Sequence, residues 1–149
     1  IISLAFDTDP RAQEACKLLA KKNGVADRVI VGGQFGIKDF AKYENEAALV
    51  FCDIEGGEKE LLDPKVAPAL RKLDIIVESH ECLCTGITEE LLSRFKSTHD
   101  IEIVEDYGTR QLENPPSWFA QLAHLDQLLA TWEWRSGPTP WLVMRSKLE

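Results

Sequence analysis

Basic residues are in deficit in this chain. Seventeen Lys and Arg stand against 25 Asp and Glu, a net charge of −8 with a pI near 4.9. Phosphate backbones are held by basic surface, so nucleic acid is excluded as a default partner. Long apolar runs are also lacking. The longest are strand-length pieces such as Ala47–Cys52, whereas a bilayer-spanning helix needs ~20 predominantly apolar residues. Cysteine is sparse: Cys16, Cys52, Cys82 and Cys84. Cys16 and Cys52 lie inside apolar patterns, where a free thiol serves as a small core residue. That usage fits a reducing cytoplasm better than a disulfide framework. No internal repeat, low-complexity tract or linker is visible. What is present is ordinary globular composition, 44% hydrophobic and 28% charged over 149 residues, enough for one core.

Strand-like and helix-like segments alternate, the pattern of a largely parallel sheet covered by helices. Ile1–Phe6 is apolar and stops at Asp7-Thr8-Asp9-Pro10. That stop predicts a helix over Pro10–Asn23, with Asp9 as N-cap, Pro10 at the first helical position and Gly24 beyond its end. Further strands are expected at Arg28–Val31, Ala47–Asp53, Asp74–Ser79, Ile101–Val104 and Pro140–Arg145. The near-continuous apolar run Ala47–Asp53 predicts a strand buried on both faces. Helical stretches are expected around Ile37–Tyr43, in part of Glu58–Leu73, at Thr88–Lys96 and, longest of all, at Pro116–Trp134. Residues 1–147 read as a single domain. The closing Leu148-Glu149 reads as the scar of an expression tag, and the opening inside a strand-like run points to a longer parent protein.

Four constellations carry candidate chemistry. Asp7 ends a strand before a helix, a position from which a carboxylate accepts hydrogen bonds from both ribose hydroxyls of an adenosine cofactor. The same placement also suits a turn former. Gln34 and Phe35 follow Gly32-Gly33 at the end of the next strand, an amide able to hydrogen-bond a ligand and a ring able to pack on one, or a glycine-rich loop with Phe35 in the core. Asp53 and Glu55 close the third strand, before Gly56-Gly57. Glu58 and Glu60 read there as acids favouring a helix N-terminus, whereas burying Asp53 at the end of so apolar a strand is costly unless it is paired or used. Glu78 and His80 end the fourth strand, and His80 is the side chain best suited to act as a base near neutrality. Cys82 and Cys84 beside His80 invite a zinc reading, but their spacing is too tight for the usual structural pairs. Asp53, Glu55 and Glu78 also form an oxygen set suited to a hard cation. No metal is assigned. The tryptophans Trp118, Trp132, Trp134 and Trp141 read as core or interface, and Tyr107–Pro116 as either a lid or a plain connection.

Ala5-Phe6-Asp7-Thr8-Asp9-Pro10, the Asn23-Gly24 stop and Ala26-Asp27-Arg28-Val29 closely resemble the second strand and helix of class I S-adenosylmethionine-dependent methyltransferases. Asp53-Ile54-Glu55-Gly56-Gly57-Glu58 resembles the Asp-x-Glu-Gly-x-Glu segment of the FkbM-type branch, and Glu78-Ser79-His80 its Glu-x-His. The resemblance implies a Rossmann-like methyltransferase-type α/β fold, a three-layer αβα sandwich, with S-adenosylmethionine as cofactor and a small-molecule or sugar hydroxyl as acceptor. Asp7 would hold the ribose, Gln34 and Phe35 the adenine, and Asp53 would lie beside the cofactor on the acceptor side. Glu55 and Glu78 would face the substrate, and His80 would be the base.

One departure is large. The usual first strand of the family, with its glycine-rich loop, has no counterpart here, and it normally lies between the strands beginning at Ile1 and Ala47. A sheet lacking it has a gap, and unpaired buried backbone groups are costly. The expected resolutions are a truncated parent, a sheet closed with a new neighbour order, or a homodimer through an exposed sheet edge. Two rival functions stay open: a non-catalytic methyltransferase-like interaction domain, and another adenosine-cofactor enzyme of NAD type.

Overall fold

The computed structural model describes residues 1–105, 112, 114–132 and 136–148. The chain divides into two compact units, Ile1–Asp39 and Phe40–Glu149.

In the first unit, β1 (Ser3–Phe6) leads into α1 (Pro10–Lys22) and then β2 (Val29–Gly32). The strands are parallel, with Leu4 opposite Ile30 and Phe6 opposite Gly32. The helix starts where the sequence says it should. Asp9 is the N-cap, its side chain accepting the Arg11 backbone N–H at 2.8 Å, and Pro10 follows at the first position. It ends at Asn23, and Gly24 takes the left-handed conformation (φ 67°) that glycine adopts without steric cost. Gly32 is a close-approach glycine: a Cβ there would lie 2.6 Å from the Phe6 ring. Burial in this unit is thin, and of α1 only Ala20 is buried.

The second unit contains β3 (Leu49–Cys52), α2 (Glu58–Leu61), β4 (Asp74–Glu78), α3 (Ile87–Phe95), β5 (His99–Val104), α4 (His124–Thr131) and β6 (Trp141–Ser146). Single 3-10 segments lie at Ile37–Tyr43, across the boundary of the two units, and at Pro68–Arg71 and Phe119–Gln121. The strand order is β3-β4-β6-β5. β3 and β4 are parallel, but β6 is antiparallel to both its neighbours, so this sheet is mixed rather than largely parallel. The reason lies in the last connection. Val104 pairs with Trp141, so the chain leaves β5 and re-enters β6 at the same end of the sheet. Such a return can only be antiparallel.

The core of this unit follows the strand period of two and the helix period of about four. Ile75 and Val77 of β4 pair with Met144 and Leu142 of β6, and all four are fully buried. Ile87, Leu91 and Phe95, one stripe of α3, are fully buried too, as are Leu62 and Leu70.

Two expectations fail. β3 is not buried on both faces: it is an edge strand with a single partner, and Leu49 and Phe51 are 58% and 66% exposed. An apolar run signals affinity for burial, but a strand with one neighbour keeps an open side. Nor is Pro116–Trp134 the longest helix. Its described residues hold only a 3-10 turn and the eight-residue α4, while α1 has 13. Trp118 and Trp132 are exposed rather than core, Trp141 is half-buried, and Trp134 lies outside the described residues. Most of the candidate lid Tyr107–Pro116 lies outside them as well. All four cysteines are free thiols. Among the described residues no helix is long and apolar enough to cross a membrane.

Candidate functional site

The parallel pairing of β3 and β4 sets Cys52 opposite Val77. The next residues, Asp53 and Glu78, therefore emerge side by side at the carboxyl ends of adjacent strands, where open α/β sheets place their ligands. Two residues beyond each, the chain delivers Glu55 and His80. Glu55 is forced into position: its φ is 54°, a left-handed conformation uncommon for any residue but glycine, and Gly56 follows at φ 99°.

His80 is the centre of the arrangement and is fully buried. Its Nδ1 lies 2.6 Å from Oε1 of Glu58, also fully buried. A carboxylate can only accept in that bond, so Nδ1 carries the proton and Nε2 is left facing the other way. Around Nε2 stand Asp53 Oδ1 at 3.5 Å, Glu55 Oε2 at 3.6 Å and Glu78 Oε2 at 3.6 Å. These distances exceed a hydrogen bond, and Nε2 is buried with no hydrogen-bond partner among the described residues. The other buried histidine, His99, shows the contrast. Its Nε2 meets the Leu73 carbonyl at 2.9 Å and its Nδ1 the Thr98 hydroxyl at 2.9 Å, so it is a satisfied core residue.

Glu58 corrects the sequence reading, which left it as a solvated helix acid beside Glu60. Glu60 is exposed, but Glu58 turns inward onto His80. The last Glu of the Asp-x-Glu-Gly-x-Glu segment was the available signal. Asp53 is corrected in the other direction: its side chain is 41% exposed, so strand-end burial does not constrain it. The zinc reading also changes. The side chains whose ligand atoms converge, all within 4.8 Å of one another, are Asp53, Glu55 and His80, and neither Cys82 nor Cys84 belongs to that set.

The surroundings hold these groups in place. α2 has only four residues and is anchored by α3. Arg94 Nη1 donates to the Lys59 and Leu62 carbonyls at 2.6 and 2.9 Å, and Lys59 pairs with Glu90 at 3.0 Å. The loop after His80 is tied to the start of α3 by Glu81, which accepts from the backbone N–H groups of Gly86 and Thr88 and from the Thr88 hydroxyl. These bonds, that to Gly86 foremost, hold the Glu81 carboxyl below its usual range. Cys52, one residue before Asp53, has its thiol pushed up to about 12, first by burial and then by the charges of Glu58 and Asp53. A thiolate is therefore not at work beside the cluster. The groove of about 490 Å³ between α3 and β5, lined by Glu89, Leu92, Lys96 and Asp100 among others, lies elsewhere and lacks any comparable convergence of groups.

In the first unit, Asp7 directly follows β1 and is exposed. Its Oδ1 accepts the Asp9 N–H at 2.7 Å, and its backbone carbonyl accepts from the Gln13 amide at 2.8 Å. Gln34 is exposed, and the Phe35 ring packs against Phe6 with centroids 4.8 Å apart. Asp7, Gln34 and Phe35 thus gather on one unit, while Asp53, Glu55, Glu78 and His80 gather on the other.

No protein-family model and no curated protein sequence matches the chain. Solved structures do. Cofactor-bound Rv0187 from MTB aligns with 99% of the chain at a TM-score of 0.61 and 15% identity. The O-methyltransferase from Bacillus cereus in complex with SAH aligns with 98% at 0.55 and 12% identity. A domain from Corynebacterium diphtheriae described as a precorrin-6Y C5,15-methyltransferase targeted domain aligns with 97% at 0.52 and 14% identity. The chain has the Rossmann-like α/β fold of these structures. It spans 62% and 63% of the length of the first two.

Proposed function

We propose that this chain is part of an S-adenosylmethionine-dependent class I methyltransferase that methylates a hydroxyl of a small molecule or sugar. The observation that carries the reading is Asp7, a solvent-facing carboxylate held at the carboxyl end of β1 in a chain with this fold. The residues present suit the adenosine half of the cofactor. Asp7 Oδ1 is oriented by the Asp9 N–H, while Oδ2 makes no hydrogen bond to the described residues and is open to ribose hydroxyls. Gln34 offers an exposed amide to the adenine, and Phe35, backed by Phe6, offers an aromatic surface.

The bound cofactor supplies an electrophilic methyl group. The work left to the protein is alignment of the acceptor more than acid–base chemistry. Asp53 and Glu55, exposed at the end of β3, orient an acceptor hydroxyl as hydrogen-bond acceptors. His80, with its Nδ1 proton held by Glu58, lies behind Asp53 and Glu55 with Nε2 3.5 and 3.6 Å from their carboxylates, through which it takes the hydroxyl proton. The finer FkbM-type assignment rests on the Asp53–Glu58 and Glu78–His80 segments, which supply this cluster.

Calorimetric titration of the intact protein with S-adenosylmethionine and with NAD tests the reading. Micromolar binding of the methyl donor, lost in Asp7→Ala, is the expected result, and preference for NAD would overturn it. Failure to bind either would favour an interaction domain, the reading supported by the exposed Leu125, Leu128 and Leu129 of α4 and Trp132 just after it.

A further inference from the structure

We propose that Asp53, Glu55 and His80 bind one divalent first-row transition cation, with Glu78 beside the site and Glu58 as the buried carboxylate that orients the histidine. The inference needs only the second unit and no methyl donor; with the cation bound, Nε2 is a ligand and no longer the base proposed above.

Its starting point is an electrostatic contradiction. In a neutral His80 whose Nδ1 donates to Glu58, the Nε2 lone pair faces three carboxylate oxygens 3.5 to 3.6 Å away. Lone pair against anion is repulsive, and burial deepens the cost because water is excluded from Nε2. A cation at the focus of Asp53, Glu55 and His80 converts the repulsion among them into attraction. The spacing suits one. Metal–nitrogen and metal–oxygen bonds of about 2.1 Å in a tetrahedral arrangement place neighbouring ligand atoms about 3.4 Å apart, close to the 3.5 and 3.6 Å from Nε2 to Asp53 and Glu55, and the three ligand atoms all lie within 4.8 Å of one another.

The outer shell fits as well. Metal-bound histidines commonly donate their second ring N–H to a carboxylate, which sets the tautomer and turns the ring. Glu58 makes that bond at 2.6 Å. Access is built in too, since the Asp53 and Glu55 side chains are 41% and 71% exposed while His80 and Glu78 lie beneath them. One imidazole with carboxylates is a borderline donor set. It favours Mn²⁺, Fe²⁺ or Zn²⁺ over Mg²⁺, which seeks oxygen alone, and over the soft ions that seek thiolate.

The test is calorimetric titration of the chelator-stripped protein with MnCl2, ZnCl2 and MgCl2, with no methyl donor present. One equivalent of Mn²⁺ or Zn²⁺ should bind, at least tenfold tighter than Mg²⁺. Because His80 is buried, variants at the exposed ligands keep the test clear of folding: Asp53→Asn and Glu55→Gln should each weaken binding tenfold or more. Glu58→Gln, which keeps an acceptor for Nδ1 but loses the charge, should weaken it by about 10–100-fold. Replacement by Co²⁺ should give weak visible bands and no thiolate charge-transfer band in the near ultraviolet. Absence of stoichiometric binding, Mg²⁺ binding as tight as Mn²⁺, unchanged affinity in both Asp53→Asn and Glu55→Gln, or a thiolate band signalling Cys82 or Cys84 would each overturn the proposal.

Discussion

Glu55→Gly should stabilise this protein relative to Glu55→Ala, although glycine is the more flexible residue. Glu55 has φ 54°, in the left-handed region. There the Cβ of an L-residue crowds the following carbonyl, at a cost of about 1–2 kcal/mol. Glycine removes that cost but gives up about 0.5–1 kcal/mol more backbone entropy on folding. The difference leaves roughly 0.7 kcal/mol in favour of glycine, or about 2 °C in Tm for a chain of this size. Both variants lose the carboxylate, so the change in charge around His80 cancels between them and the backbone contribution stands alone. Urea titration of each in chelator-containing buffer reads the difference as a shift in midpoint at constant slope. If Glu55→Ala is as stable as Glu55→Gly, Glu55 is not strained, and the reasoning that the fold holds an unfavourable backbone to place this carboxylate is wrong.

Other outcomes follow from the same structure. Arg94→Met should cost about 2 kcal/mol by urea titration, because it removes charged hydrogen bonds to the Lys59 and Leu62 carbonyls and loosens the short α2 that carries Glu58. Cys52, buried and with its thiol pushed up to about 12, should resist a thiol reagent at pH 8 in the native protein while the half-buried Cys16, Cys82 and Cys84 react; rapid labelling of all four would contradict its placement. The same raised value means that stability associated with Cys52 is present below its unfolded pKa of 9.0 and declines as pH rises toward 12, which urea midpoints between pH 8 and 11 will show. Acid works in the other direction. The carboxyls of Glu81 and Glu90 are held below the ordinary 4.5, Glu81 first by the Gly86 N–H and Glu90 first by Lys59. Their contribution is present above pH 4.5 and lost as pH falls through the folded values, so Glu81→Gln should show a shallower loss of stability between pH 5 and 3 than the parent chain.

The elements legible in the sequence are those whose causes are local. Asp9, Pro10 and Gly24 bound α1 through capping and backbone preference, and the structure places its ends within a residue of that reading. The strand positions followed from short apolar runs between turn residues. The candidate site was half legible: Asp53, Glu55, Glu78 and His80 stood out as acids and a histidine at strand ends, and the parallel register of β3 and β4 brings them together.

What the sequence could not determine depends on who the neighbours are. That β3 would be an edge strand with Phe51 in solvent is a property of strand order, and apolar character alone does not state which sides find partners. The insertion of β6 between β4 and β5, antiparallel to both, is likewise a choice of pairing made over long separations. Glu58 is the sharpest case. Its helix-position signals are those of an acid in a first helical turn, the same as those of Glu60, and only the segment it closes sets it apart. Only folding, which sets His80 against it from 22 residues away, makes it a buried acceptor. Local preferences are short-ranged and written in adjacent residues, whereas the electrostatics of a buried site belong to groups that meet only once the chain has closed around them.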